Sequence, residues 1–215
     1  MPIKAIIFDL DGTLLNTYED LANAVNYGLN KCGFPTHKAE DFKRFTGNGT
    51  DMMITRALPV DKRDNETLSK VREHYFTYYN AHSGECTRPY DDIIKLLDKL
   101  KGMGIRLGIV SNKIDFMTQA IAGKYFNDRF DFVTGQRDGA PVKPNPATVF
   151  EAMRVLGVNS SECLFVGDSG VDAETGKNAG VFTVGVLWGF RDKDELLQCG
   201  ASAVISKPFE LLNYV

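Results

Sequence analysis

From Pro89 onward the chain keeps one rhythm, in which a short apolar run gives way to an amphipathic stretch and then to another apolar run. The apolar runs are Arg106–Ser111, Phe130–Thr134, Cys163–Gly167, Phe182–Val186 and Ala203–Ile205. Helical patterns cover Asp92–Lys101, Phe116–Lys124, Pro146–Leu156, Asp172–Ala179 and Lys193–Gln198. Apolar strands joined by helices form a parallel sheet with helices on both faces, because a parallel strand needs a crossover to return to its starting edge. One more buried-strand pattern, Ala5–Phe8, stands near the N-terminus. Between it and the alternating region lie only helical patterns, at Thr17–Lys31, Lys38–Phe45, Thr50–Leu58 and Asn65–Asn80. Asn16 or Thr17 is placed to cap the first, and Cys32-Gly33-Phe34-Pro35 to stop it. The expected architecture is an α/β core of residues 1–15 and 86–215, interrupted by a helical insertion of residues 16–85.

The chain's 215 residues are long enough for a substantial core. With 43% hydrophobic and 25% charged residues it has the make-up of a soluble globular protein. A formal net charge of −3 points away from nucleic acid and from an anionic membrane as partners. No apolar run reaches the ~18 residues that span a bilayer, and the N-terminal apolar stretch ends in acids instead of a cleavage site. Cys32, Cys86, Cys163 and Cys199 form no CxxC pair and read as the reduced thiols of a cytoplasmic protein. His37, His74 and His82 have no partner at ligand spacing, and Trp188 reads as packing.

Asp9 and Asp11 close the first strand two residues apart, so both carboxylates leave its carboxyl end on one face. Two anions that close need a proton or a cation between them, and Mg²⁺ with oxygen ligands is the simplest resolution. Ser111 and Asn112 close the second strand, Lys143 follows the third, and Asp168 closes the fourth with Asp172 shortly after. Each has a plainer use alone: Asp-Gly favours turns, Ser, Asn and Asp cap helices, and most lysines are solvated. Together they fall at one rim, where open α/β sheets bind ligands. Their chemistry suits a metal-bound phosphate: Asp9 and Asp168 as hard oxygen ligands, Lys143 as a point charge, and Ser111 as a hydroxyl donor. One Asp can attack phosphorus, and the other can protonate the leaving oxygen and then deprotonate a water.

The stretches DLDGTLL at 9–15, VSNK at 110–113, Lys143 before Pro144, and GDSGVD at 167–172 resemble, in order, the four motifs of the haloacid dehalogenase superfamily. The resemblance runs over the whole chain and implies a Rossmann-like core with a helical cap of the first type, inserted after the first motif. It implies Asp9 as nucleophile and Asp11 as acid/base, with Ser111, Asn112 and Lys143 binding phosphate. Asp9, Asp168 and the backbone carbonyl of Asp11 would hold Mg²⁺, with Asp172 supporting the metal shell or Lys143. Dehalogenases of this superfamily lack the second aspartate of the first motif, so Asp11 points to a phosphatase or phosphomutase. FTGNGTD at 45–51, TRPYDD at 87–92 and LWGFRDKDEL at 187–196 look similar to phosphoglycolate phosphatases. That likeness would give Gly47, Asn48 and Gly49 a substrate-loop role, although Asn-Gly also makes an ordinary turn. Asn16, and Asp91-Asp92 after Tyr90, depart from the common pattern of such proteins.

The expected activity is thus Mg²⁺-dependent hydrolysis of a small phosphorylated metabolite through an aspartyl-phosphate, with phosphoglycolate as the leading substrate. A nucleotide, sugar phosphate or pyrophosphate is the alternative substrate; a phosphomutase or a non-catalytic phosphate-binding module is a further alternative. A monomer or homodimer is expected.

Overall fold

The computed structural model describes residues 2–215. The chain divides into two compact units, Met1–Leu15 with Pro89–Val215, and Asn16–Arg88.

The first unit is built on six parallel strands: β1 (Ala5–Phe8), β2 (Arg106–Ile114), β3 (Phe132–Gln136), β4 (Cys163–Gly167), β5 (Phe182–Val186) and β6 (Ala203–Ile205). Their order across the sheet is β3-β2-β1-β4-β5-β6, every neighbouring pair parallel. The chain starts in the centre, moves out one way, then returns to the other side of β1, so the winding direction reverses between β1 and β4. That reversal opens a crevice at the carboxyl ends of these two strands, and the aspartates stand there.

Alternation along the strands feeds two cores. Ile6 and Phe8 of β1 with Leu164 and Val166 of β4 face one side, where Ile93, Leu96, Leu97 and Leu100 of the helix Ile93–Gly102 cover them. Ala5 and Ile7 with Cys163 and Phe165 face the other, against Val149, Ala152 and Leu156 of the helix Ala147–Leu156. Burying one such aliphatic or aromatic side chain is worth about 1.5–3 kcal/mol, and β1 and β4 are buried along their whole length.

The structure corrects the sequence reading in several places, among them the strand expected at Phe130–Thr134, which runs Phe132–Gln136. β2 runs through Ile114 instead of stopping at Ser111, with a register shift against β3 between Val110 and Ile114. Ser-Asn-Lys looks like a strand terminator, but these polar residues are buried and paired. The stretch expected as one helix from Lys38 to Phe45 is a 3₁₀ turn, Ala39–Asp41, followed by a short helix, Phe42–Phe45. Thr17 does stand at the cap of the helix Tyr18–Lys31, but its helical backbone (φ −116°, ψ −7°) keeps the hydroxyl from making a cap bond. No helix among the described residues is long and apolar enough to cross a membrane.

The second unit is helical: Tyr18–Lys31, Phe42–Phe45, Thr50–Ala57 and Asn65–His82. Its two long helices bury Leu21, Val25 and Leu29 together with Val71, Tyr75 and Tyr79. His37 is structural: its Nε2 lies 2.7 Å from the Ala57 carbonyl, while Asn26 bonds both its N–H and its carbonyl. The Gly47-Asn48-Gly49 turn is braced from within the unit, since Arg56 donates to the Phe45 carbonyl at 2.8 Å and to Asn48 Oδ1 at 2.7 Å.

Asp20 ties the last segment of this unit to its first helix. Its carboxylate accepts from the N–H groups of Gly84, Cys86 and Thr87 and from the Thr87 hydroxyl at 2.6–2.9 Å. Burial works to raise its pKa, but these donors win and hold it below the usual carboxylate value. Asp20→Ala would strand those donors and should lower unfolding stability by about 2–3 kcal/mol, read as a fall in thermal midpoint. Because the folded pKa is depressed, Asp20's contribution is full above the unfolded value near ~4 and fades as pH falls through the folded one. Wild type and variant should therefore converge in acid.

Candidate active site

β1 ends against β4 through the Asp9 N–H on the Val166 carbonyl at 2.8 Å, which sets Asp9 beside the start of the β4 loop. Lys143, from the loop between β3 and the helix Ala147–Leu156, reaches the same point. Its ammonium lies 2.7 Å from Asp9 Oδ1 and 2.7 Å from Asp172 Oδ1. Asn112, in the last stretch of β2 before Ile114, aims that lysine: its Oδ1 accepts the Lys143 N–H at 2.9 Å and its Nδ2 donates to the Lys143 carbonyl at 3.0 Å. Asn112, expected beside the phosphate, thus spends its amide on the lysine backbone. Ser111 is buried and its hydroxyl accepts the Lys113 N–H at 3.2 Å.

Asp168 follows β4 and is 1% exposed. The Thr13 hydroxyl donates to its Oδ1 at 3.2 Å, and the Phe190 N–H to its Oδ2 at 2.7 Å. The second donor comes from the loop after β5, which folds over the β4 end because residue 189 is glycine: a Cβ there would overlap Asp168 and the Gly12 carbonyl. Gly12 is under a similar constraint, with φ +90° and a Cβ position that falls on the Asp168 carboxylate. Trp188 anchors the loop by donating its indole N–H to the Thr13 carbonyl at 2.9 Å. Asp172 sits in the first turn of the helix Gly170–Ala179; Ser169 caps that helix and donates its N–H and hydroxyl to Asp172 Oδ2 at 3.1 and 2.6 Å.

Asp9, Asp168 and Asp172 each offer an oxygen within 4.8 Å of the others. All three are buried, and Lys143 is the cation in contact with two of them. Arg191 also attracts Asp168, yet its Nε is on Glu195 at 3.2 Å. Burial pushes the Asp9 carboxyl up to about 7, with Lys143 pulling down and Asp172 pushing up. Burial likewise raises Asp168 well above the carboxylate range, reinforced by the charges of Asp172 and Asp9. Burial would strip Lys143 of its proton, but the facing Asp172 and Asp9 prevail and hold its pKa above that of an ordinary lysine. Three carboxylates against one ammonium leave two negative charges under-compensated, and the available donors are all oxygen. A hard divalent cation matches that charge and that donor set. Asp172 has both oxygens bonded, by Lys143 and Ser169, and Asp168 likewise, by Thr13 and the Phe190 N–H, whereas Lys143 bonds Asp9 through Oδ1.

Asp11, the other acid of the first motif, faces a different cation. Lys113 Nζ lies 3.4 and 3.3 Å from its two oxygens. Motif spacing picked out Asp9, Asp11, Lys143, Asp168 and Asp172, and all five converge on this rim. It did not single out Thr13, Lys113, Ser169 or Phe190. The polar residues closing β2 and the LWGF stretch after β5 were the available signals. Gly47, Asn48 and Gly49 belong to the second unit.

Comparison with known proteins agrees with this geometry. Residues 6–186 match the haloacid dehalogenase-like hydrolase family. A phosphoglycolate phosphatase of Colwellia psychrerythraea is 34% identical over 92% of this chain and 90% of its own. One of Psychrobacter arcticus is 30% identical over 100% of this chain and 96% of its own. Among solved structures, a haloacid dehalogenase-like hydrolase of Streptococcus pneumoniae superposes with a TM-score of 0.88 at 26% identity, covering 99% of this chain and 98% of that one. With its acids at the β1/β4 switch point and its lysine between them, the chain belongs to the haloacid dehalogenase-like hydrolases and is a phosphatase of that family.

Proposed function

We propose that the chain is a Mg²⁺-dependent phosphomonoesterase that works through an aspartyl-phosphate on Asp9, with phosphoglycolate as its preferred substrate. The observation that carries the chemistry is the Lys143 ammonium at 2.7 Å from Asp9, with Asp168 inside the same oxygen cluster. The substrate rests on the phosphoglycolate phosphatases that are 30% and 34% identical over nearly the whole chain.

Asp9 and Asp168, with the main-chain carbonyl of Asp11, would hold the cation, which when bound supplies positive charge to the phosphoryl oxygens. Asp9 is the nucleophile. Its carboxylate is buried and fixed by Lys143, so it meets phosphorus without reorganising. Lys143 holds phosphoryl charge as it spreads in the transition state, while Asp172 keeps the lysine in place. The Ser111 hydroxyl gives a neutral donor at the same rim. Asp11 donates a proton to the leaving alcohol and takes one from the water that resolves the intermediate.

Asp9→Asn keeps the shape and removes the nucleophile; turnover should fall by on the order of 10³-fold or more, with an unchanged circular dichroism spectrum. Substantial phosphate release by that variant would refute the assignment. For the substrate, kcat/KM across a panel of phosphoesters should be highest for phosphoglycolate, and a nucleotide or sugar phosphate leading the panel would replace it. Cation binding should also depend on pH. Without the cation, the raised pKa of Asp9 means its ionisation costs stability as pH rises from the unfolded value near ~4 toward about 7. Mg²⁺ should relieve that cost, so its thermal stabilisation should be small at pH 5 and large at pH 8. At a hundredfold excess over Kd it should reach about 2.7 kcal/mol.

A further inference from the structure

Lys113 has no role in the scheme above, yet it is among the most deeply buried charged side chains of the first unit, 3% exposed beside an Asp11 side chain that is 18% exposed. Burying an ammonium costs several kcal/mol unless a counter-charge meets it. Here the counter-charge is Asp11, approached at both oxygens. The lysine backbone is held from two sides. Its N–H donates to the Ser111 hydroxyl at 3.2 Å, and its carbonyl accepts the fully buried Thr118 hydroxyl at 3.1 Å. The extension of β2 past Ser111 places it there. Asp115 secures the neighbouring strand by accepting the Gly135 N–H at 2.7 Å. The backbone that carries the cation is therefore fixed, and the carboxylate the cation holds is the more exposed partner of the pair.

We propose that Lys113 is the positioning residue for Asp11: it fixes the carboxyl group in the orientation from which it protonates the departing oxygen. This rests on the reading of Asp11 as acid/base. In that step a bond forms between Asp9 and phosphorus while the bond from phosphorus to the alcohol oxygen breaks. The electron pair of the broken bond stays on that oxygen, which takes the proton that Asp11 carries in the substrate complex, and Asp11 is left as the carboxylate that Lys113 holds. A misplaced acid slows only those substrates whose leaving group needs the proton.

The test compares kcat/KM, which reports the steps up to departure of the alcohol, for an alkyl phosphate and for p-nitrophenyl phosphate. The p-nitrophenolate ion leaves readily without a proton. In Lys113→Met the alkyl phosphate value should drop by about 10- to 100-fold. The p-nitrophenyl value should change by less than about threefold, and competitive inhibition by inorganic phosphate should be unchanged. Lys113→Arg, which keeps the charge, should recover much of the alkyl phosphate rate and serves as the second variant should the methionine form fold poorly. Asp11→Asn is the reference and should show the same or a steeper dependence on the leaving group. Equal losses on both substrates in Lys113→Met, beside a leaving-group-dependent loss in Asp11→Asn, would overturn the positioning role. Equal losses in Asp11→Asn itself would overturn Asp11 as the acid.

Discussion

The Lys143 ammonium, shared between Asp9 and Asp172, is the interaction on which the rest of the site depends. Alone, any of these three charges would be too costly to bury; together they form a bridge that sets the nucleophile's direction. The bridge also dictates its supports. Asn112 must fix the lysine backbone, Ser169 must occupy the second oxygen of Asp172, and Asp168 must find its own donors in Thr13 and the Phe190 N–H. What remains is an excess of negative charge among oxygen donors, the condition a divalent cation satisfies.

Sheet topology explains why these groups meet. β1 is central and β4 enters beside it from the opposite winding, so the acids closing the two strands share one crevice. The same topology separates the two acids of the first motif. Asp9 and Asp11 differ by two residues, yet one lies under Lys143 in a closed, oxygen-rich cluster and the other against Lys113 nearer the surface. Two like groups given unlike surroundings can take unlike parts in one reaction.

Much was legible beforehand. Four strands, Ala5–Phe8, Cys163–Gly167, Phe182–Val186 and Ala203–Ile205, have the ends their apolar runs marked, because a buried parallel strand has little polar residue to blur its limits. At the carboxyl end of β2 the polar residues mark a break in the register with β3 after Val110, but pairing resumes at Ile114 and the strand continues, which polarity alone does not reveal. The Thr17 cap was misjudged because residue type reveals the capacity to cap but not the backbone angles that allow it. Nothing local marks Lys113, because a lysine is usually solvated and only the extension of β2 buries it.

By itself, then, the order of residues determined which elements form, their parallel sheet and the set of charged groups delivered to its rim, because period and polarity are local properties. Tertiary structure alone decided which charge faces which. Lys143 meets a residue 134 positions away and Lys113 one 102 away. Such partnerships follow from strand order and register, which no local pattern encodes.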